Sequence, residues 1–431
     1  MGRLIAVFTA CTLLIPAAPV AAAELTRVVS SGEANHAFGL DLSVRWERSQ
    51  RRATITRESV TAAGAGEPFG APSELPQLRY TEITNLLAAR LAVGLWEDLQ
   101  LHAELPYYLS QETSWRLASG VGPGLDYPDT ITNNTVQVDG APCVGTCPIF
   151  PVSGTQTVFH GGVTGDLKIG LSWAPFAEKR DDTKPTWVLA FEATVPTAKL
   201  YDPAAGRNTF WDSPYTLSSN AAPVGQKVWR YDLSTAMSRR MGALDPYFKA
   251  HVTFLQKSSA TYSNCDHAAE LAAAGQLNPD PAIVAACAGD PARYGARLPW
   301  LFGVTFGTEL VPFEDVASRE KFAFDLRLVA DYTSAARWYN ELTDATGKLL
   351  ATQSYVSLLG RLGLVFRASE YVSLQASGAL GWVSPHFLSG ENFDTRGDNP
   401  NFDWRYDAPG RRFRSTEGSV FDLQVSGALQ F

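Results

Sequence analysis

Few residues in this chain have the type and spacing for covalent chemistry or metal binding. His102 stands two residues before Glu104, a spacing that suits acid–base work or one edge of a metal site. His251 follows Lys249 at the same spacing and precedes Thr253. A Ser–His hydrolytic dyad needs a serine at the neighbouring position on the histidine's own face, and neither histidine has one, so both fit a polar network instead. Cys143-x3-Cys147 has the look of half a zinc site, but the histidine nearest any cysteine, His267, sits beside Cys265. The run 391–403 offers oxygen ligands at Asp394, Asp398, Asn399, Asn401 and Asp403 without the ordered spacing of a calcium loop. The same run contains Arg396-Gly397-Asp398, an attachment tripeptide that three common loop residues form by coincidence. No glycine motif follows a strand and opens a helix, as phosphate cradling requires. These residues predict no catalytic group, no metal and no cofactor, and they leave calcium binding by 391–403 open.

The compartment follows from the ends of the chain. Met1–Arg3 is a short positive start, Leu4–Leu14 is apolar, and Pro16 leads to Ala21-Ala22-Ala23 before Glu24, the pattern of a secretory signal peptide over 1–23. That leaves 24–36 as a periplasmic N-terminal segment and 37–431 as the folded unit. Of the five cysteines Cys11 departs with the leader, and the remaining even number in an exported chain predicts two local disulfides, Cys143–Cys147 and Cys265–Cys287. Beyond the leader no apolar run reaches the ~18 residues of a membrane-spanning helix. With 36 Lys+Arg against 44 Asp+Glu, a net charge of −8 and no basic cluster, a nucleic-acid surface is excluded. The 35 Gly and 26 Pro fall in recurring turn clusters without a hinge, which favours one repetitive β architecture over several soluble domains.

Alternation is the main signal. From Phe38 to Trp46 the even positions are Phe38, Leu40, Leu42, Val44 and Trp46, whereas the odd ones are Gly39, Asp41, Ser43 and Arg45. A period of two marks a strand with one apolar face. About twelve such segments, each near the ~9–11 residues a tilted membrane strand needs, lie at 37–48, 80–95, 99–110, 166–175, 185–196, 228–238, 244–256, 299–312, 321–333, 355–367, 371–384 and 419–431. Short connections such as Trp96-Glu97-Asp98 and Ala368-Ser369-Glu370 alternate with long ones such as 49–79, 111–165, 257–298 and 385–418. Trp46, Trp173, Trp187, Trp229, Trp300 and Trp382 fall in apolar register near strand ends, where interfacial aromatics belong, and the chain closes on Phe431. The fold expected is therefore all-β: a closed antiparallel transmembrane barrel of about twelve strands, with short periplasmic turns and long extracellular loops, in the outer membrane of a Gram-negative bacterium. A secreted β-sandwich also alternates, but explains neither the outward tryptophans nor the loop asymmetry.

If the apolar face meets lipid, the other face lines the lumen. It carries Asp41, Arg45, Arg90, His102, Glu104, Lys168, Glu192, Arg230, Asp232, Lys249, His251, Asp325, Arg327 and Arg361, with signs interleaved and no single-sign selectivity ring. Tyr201, Phe210, Trp211, Tyr215, Trp338, Tyr339, Phe387, Phe393, Phe402, Trp404 and Tyr406 stand in the long loops, where they either pack loop on loop or line a mouth for an apolar solute. The segment His267–Gln276 is Ala/Leu-rich and reads as a short loop helix. The expected partners are the bilayer and its lipopolysaccharide, the barrel insertion machinery that reads a terminal aromatic strand, and a small solute.

The stretches Gly94-Leu-Trp-Glu-Asp-Leu-Gln-Leu-His-Ala-Glu-Leu-Pro106-Tyr107, Gly165-Asp166-Leu-Lys-Ile-Gly-Leu-Ser-Trp173 and Leu189-Ala-Phe-Glu-Ala-Thr-Val-Pro196-Thr197 resemble the outer-membrane transporter-like family labelled "MetA-pathway of phenol degradation". Ala198 stands where that family usually has glycine, and the match covers about the first half of the barrel. The resemblance implies a barrel that passes hydrophobic compounds; its motifs mark turns and strand ends and assign no substrate residue. Taken with the lumen and loop residues, the expected function is a channel for passive passage of small solutes, hydrophobic or aromatic ones among them, and no enzyme. The alternatives are a structural or adhesive barrel with a plugged lumen and a lipid-modifying enzyme on the barrel wall. Solute, pore radius, plugging and oligomeric state are not legible in the sequence.

Overall fold

The computed structural model describes residues 23–32, 38–59, 73–119, 130–132, 134–145, 148–149, 155–204, 223–315 and 317–431. The leader up to residue 22, Cys147, Phe210, Trp211 and Tyr215 lie outside them. Twelve strands form the wall: β1 (Leu40–Ser59), β2 (Ser73–Trp96), β3 (Leu99–Leu117), β4 (Leu167–Phe176), β5 (Thr186–Val195), β6 (Val228–Ser238), β7 (Leu244–Lys257), β8 (Leu301–Asp315), β9 (Glu320–Thr333), β10 (Tyr355–Arg367), β11 (Val372–Val383) and β12 (Phe413–Gln430). Each pairs antiparallel with the next, and β12 returns to β1 along Asp41↔Gln430 through Arg57↔Phe413, so the sheet closes. No described helix is long and apolar enough to cross a membrane.

The alternation becomes geometry. Leu42, Val44, Leu91, Leu101, Phe191, Leu233, Phe306, Leu326, Leu362, Leu380 and Val425 all stand exposed on the outside. A continuous apolar belt around a wall without free edges is what hydrocarbon tolerates, because no peptide group is left unpaired. Trp173, Trp300 and Trp382 are exposed on this surface. Trp46 differs from its expected place: β1 runs on to Ser59, so this residue sits about a third of the way along its strand and not near its end, opposite Leu87 and Val425.

Eight strands match their expected spans within a few residues, but β1, β2, β3 and β12 extend well past them. The reason is a change of surroundings. Over Arg48-Ser49-Gln50-Arg51-Arg52 both faces of β1 are polar, and higher still the inward residues Ala53 and Ile55 turn apolar and buried. Above the hydrocarbon the outside meets water and the inside meets loops, so the lipid-facing signal ends before the strand does.

The loops fold into this raised collar. Ile55, Leu78, Tyr80, Trp115 and Phe413 of the wall pack with Ile131, Ile149, Leu342, Leu350, Leu388 and Tyr406 of the connections. Beside it Tyr262, Leu271, Leu277, Tyr294, Trp338 and Leu349 form a second core that includes Cys287, bonded to Cys265. The expected loop helix is present as a 3-10 turn (Asn264–His267) running into α1 (Ala268–Ala273). Of the loop aromatics, Phe393, Phe402 and Trp404 contact one another at 5.1–5.5 Å, and Tyr201 stacks on Tyr339 at 5.0 Å. These residues pack against one another within the loop cap.

A charge placed in the belt tests its lipid contact. Leu326→Arg, near the middle of β9, is expected to lower the unfolding free energy by about 2–4 kcal/mol in urea titrations of vesicle-inserted protein. No change would mean that this face meets something other than hydrocarbon.

Candidate functional site

The barrel encloses a cavity of about 670 Å³ lined by residues of every wall strand except β8. Asp41, Arg45, Arg90, His102, Glu104, Glu192, Asp232, Lys249, His251, Asp325, Arg327 and Arg361 all border it, interspersed with small residues such as Ala88, Ala92, Ala190 and Ala236. Lys168 stands just outside, bonded to Glu104 at 3.1 Å. Arg230 is exposed nearer the loop end of β6 and does not border the cavity.

Alternation puts these side chains on one face; cross-strand register decides which of them meet. Glu104 accepts from Arg45 and Lys168, each at 3.1 Å. His102 reaches across β4 to Glu192 at 3.1 Å, not to Glu104, its neighbour along the strand. Gly170 makes that reach feasible, since a Cβ there would lie 2.4 Å from the His102 ring. Gly303 does the same between His251 and Asp331, whose Nε2 and Oδ1 stand 3.7 Å apart. Asp325 takes hydrogen bonds from Arg327 and from the Tyr247 hydroxyl, and Thr253 donates to Asp232 at 2.7 Å. Arg361 engages Gln424, which in turn donates to Glu47 at 2.9 Å. Among the described residues Arg90 and Lys249 have no carboxylate within ion-pair distance. Ser234 is the cross-strand neighbour of His251 but makes no hydrogen bond to it.

What alternation could not reveal is the occupant of the turn end. Residues 24–31, part of the expected periplasmic segment whose plugging of the lumen the sequence left open, line the turn end of the barrel interior. The carboxylate of Glu24 pairs with Arg367 at 2.6 Å and Arg27 at 3.4 Å, and Arg27 pairs with Asp41 at 2.9 Å. Thr26 shares a hydrogen bond with Ser238 at 2.6 Å, the Val29 amide donates to Gln100 at 2.8 Å, and the Ser30 hydroxyl donates to Asp98 at 2.7 Å. The main-chain nitrogen of Glu24 donates to Glu309 at 2.6 Å, and Glu309 also holds Lys321 at 2.8 Å with both side chains buried. Removing one member of such a pair typically costs about 3–5 kcal/mol. Glu24 and Arg27, at the start of the segment, match charges on the wall, which was the only signal available in the sequence.

Over 391–403 most of the candidate oxygen atoms are engaged, with Asp398 Oδ1 left without a hydrogen-bond partner among the described residues. Asp394 holds Arg293, Asp403 holds Arg405 at 2.7 Å, and the Asn401 side-chain oxygen accepts from Asn264 at 2.7 Å. No cluster of three or more His, Cys, Asp or Glu side chains suited to a metal occurs among the described residues.

No family model matches the chain, and no curated protein does. Solved structures do. An outer membrane channel from Pseudomonas putida F1 matches at 9% identity and TM-score 0.42, over 90% of this chain and 95% of that one. A FadL homologue from Pseudomonas aeruginosa matches at 12% identity and TM-score 0.33, over 91% and 90%. A deletion mutant of the TodX monoaromatic hydrocarbon channel matches at 9% and 0.31, over 91% and 90%. At these scores the likeness adds nothing to the closed strand ladder, which establishes the fold by itself.

The seat of Glu24 has a pH signature. Burial raises this carboxyl, but Arg27, Arg367 and Lys321 outweigh it and bring the group from its ordinary 4.5 down to about 2. A group depressed when seated and normal when free stabilises the seat fully above 4.5, and that share is lost as pH falls towards about 2. Hydrogen exchange over residues 24–31, corrected for intrinsic rate, is expected to differ between wild type and Glu24→Gln at neutral pH. The two should converge across that acidic window; a difference independent of pH would refute the ion-paired seat.

Proposed function

We propose that the protein is an outer-membrane channel for the passive passage of small solutes, hydrophobic or aromatic ones among them, and that it carries out no covalent chemistry. One observation carries this reading: a closed, lipid-faced wall encloses a charged cavity whose turn-end stopper is held non-covalently, by ion pairs, hydrogen bonds and the packing of Val28 on Ala174, Val188 and Ala236. Such a stopper can leave without breaking the wall. The lumen suits hydrated passage, and its alanine-rich patches between charges accept flat apolar groups. His102 and His251 face Glu192 and Asp331, an arrangement for a polar lining and not for a serine nucleophile. The resemblance to the phenol-degradation barrel type supports the solute class. In this reading β12 together with the terminal Phe431 that follows it is what the insertion machinery reads, and the long loops face lipopolysaccharide.

The seated N-terminus and the packed cap also favour a second reading, a structural barrel that never conducts. Planar bilayers separate the two. Deleting 24–31 is expected to give larger and longer single-channel steps than wild type; absence of steps from both proteins would establish the structural barrel. Liposome swelling with benzoate against arabinose then examines the solute class, and equal permeation after correction for size would remove the aromatic preference while leaving the channel.

A further inference from the structure

Three carboxylates stand side by side at the turn end of the lumen. Glu309 of β8 lies directly opposite Asp245 of β7 on one side and Asp325 of β9 on the other, and all three are at most 2% exposed. Like charges directly opposite one another on a sheet face are unfavourable, and buried ones need counterions. Lys321 answers Glu309, and Arg327 answers Asp325. Asp245 has no hydrogen-bond partner on either oxygen among the described residues. The neighbouring guanidinium of Arg240 is engaged by Glu314 at 3.2 Å. The rank is therefore one positive charge short, and the atom that reaches into it is the main-chain nitrogen of Glu24, 2.6 Å from Glu309.

We infer that hydrolysis of the Ala23–Glu24 peptide bond supplies the missing charge, and that the seat is a binding site for the chain's own new N-terminus. Within the uncleaved chain this nitrogen is an amide, with one proton and no charge. When water adds to the Ala23 carbonyl and the C–N bond breaks, Ala23 leaves as a carboxylate. Glu24 gains an amine that protonates near neutral pH to an ammonium with three donors. One of them faces Glu309, beside the unpartnered Asp245. The order of events follows as well. Ala23 is fully buried in the seated form, so a peptidase reaches this bond only before the segment enters the barrel. Thr26 loses its contact to the Ala23 carbonyl on cleavage and keeps the one to Ser238. The seat thus recognises processed chains. This inference rests on the leader ending at Ala23 and not on the transport reading.

Mass spectrometry of the protein purified from membranes, combined with amine labelling of the folded full mature chain by a succinimidyl ester, tests it. The first residue is expected to be Glu24. Its α-amine is expected to react at least about tenfold more slowly than in Glu309→Gln, the change that a one-unit rise in its pKa produces. A refolded chain carrying Gly-Ser before Glu24 keeps Glu309 and moves the ammonium away, so it decides the matter even if Glu309→Gln does not fold; it too should label about tenfold faster than wild type. A different first residue, or wild-type labelling as fast as in the extended chain, overturns the inference.

Discussion

Inside hydrocarbon a peptide group has no water to bond, so each must find a partner within the protein. The seam between β1 and β12 is where this chain meets that demand: from Asp41↔Gln430 onward the last strand completes the ladder of the first, and the Leu40 and Phe431 backbones exchange both of their hydrogen bonds. Everything else follows from the closure. Without free edges, side-chain alternation becomes an inside and an outside, with the belt outward and the charges inward. A single-residue slip would exchange the two faces, so the burial of Leu42 or Leu326 in lipid and the pairing of Arg45 with Glu104 hold one another in register.

The same wall creates an electrostatic problem within. Acids and bases on a low-dielectric surface are tolerated only when paired or hydrated. Most of the lumen solves this across strands, as His102 with Glu192 and Lys168 with Glu104 do. At the turn end the solution comes from elsewhere in the chain: Glu24 and Arg27 bring their own charges to Arg367 and Asp41. The N-terminal segment is thus part of the charge balance of the barrel as well as an occupant of its lumen.

At the other end the problem is apolar. The four long strands at the seam raise a collar above the belt, and the loops fold over it with Trp115, Leu388 and Tyr406 in a common core. Deep within the cap Lys348 is fully buried against Asp403 and the Tyr406 ring. Burial depresses its ammonium, while Asp403 and Asp407 favour the charged form. The cap is a packed body anchored by the Cys265–Cys287 bridge, and its aromatics are consumed in holding it together.

Within the belt, the period-two pattern of the sequence by itself determined the number of strands, their faces and the alternation of short and long connections, because hydrocarbon imposes the same demand on every strand that crosses it. It also placed Asp41, Glu104, Lys249 and Asp325 on the lumen face. Where hydrocarbon ends the demand ends, and the extensions of β1, β2, β3 and β12 left no such trace. Only the tertiary structure decided which charges meet, that His102 turns to Glu192 over Gly170, and that Glu24 comes to Glu309 from 285 positions away. Those contacts depend on register around a closed circle and on where a free segment finds its counterions, and neither is a property of neighbouring residues in the chain.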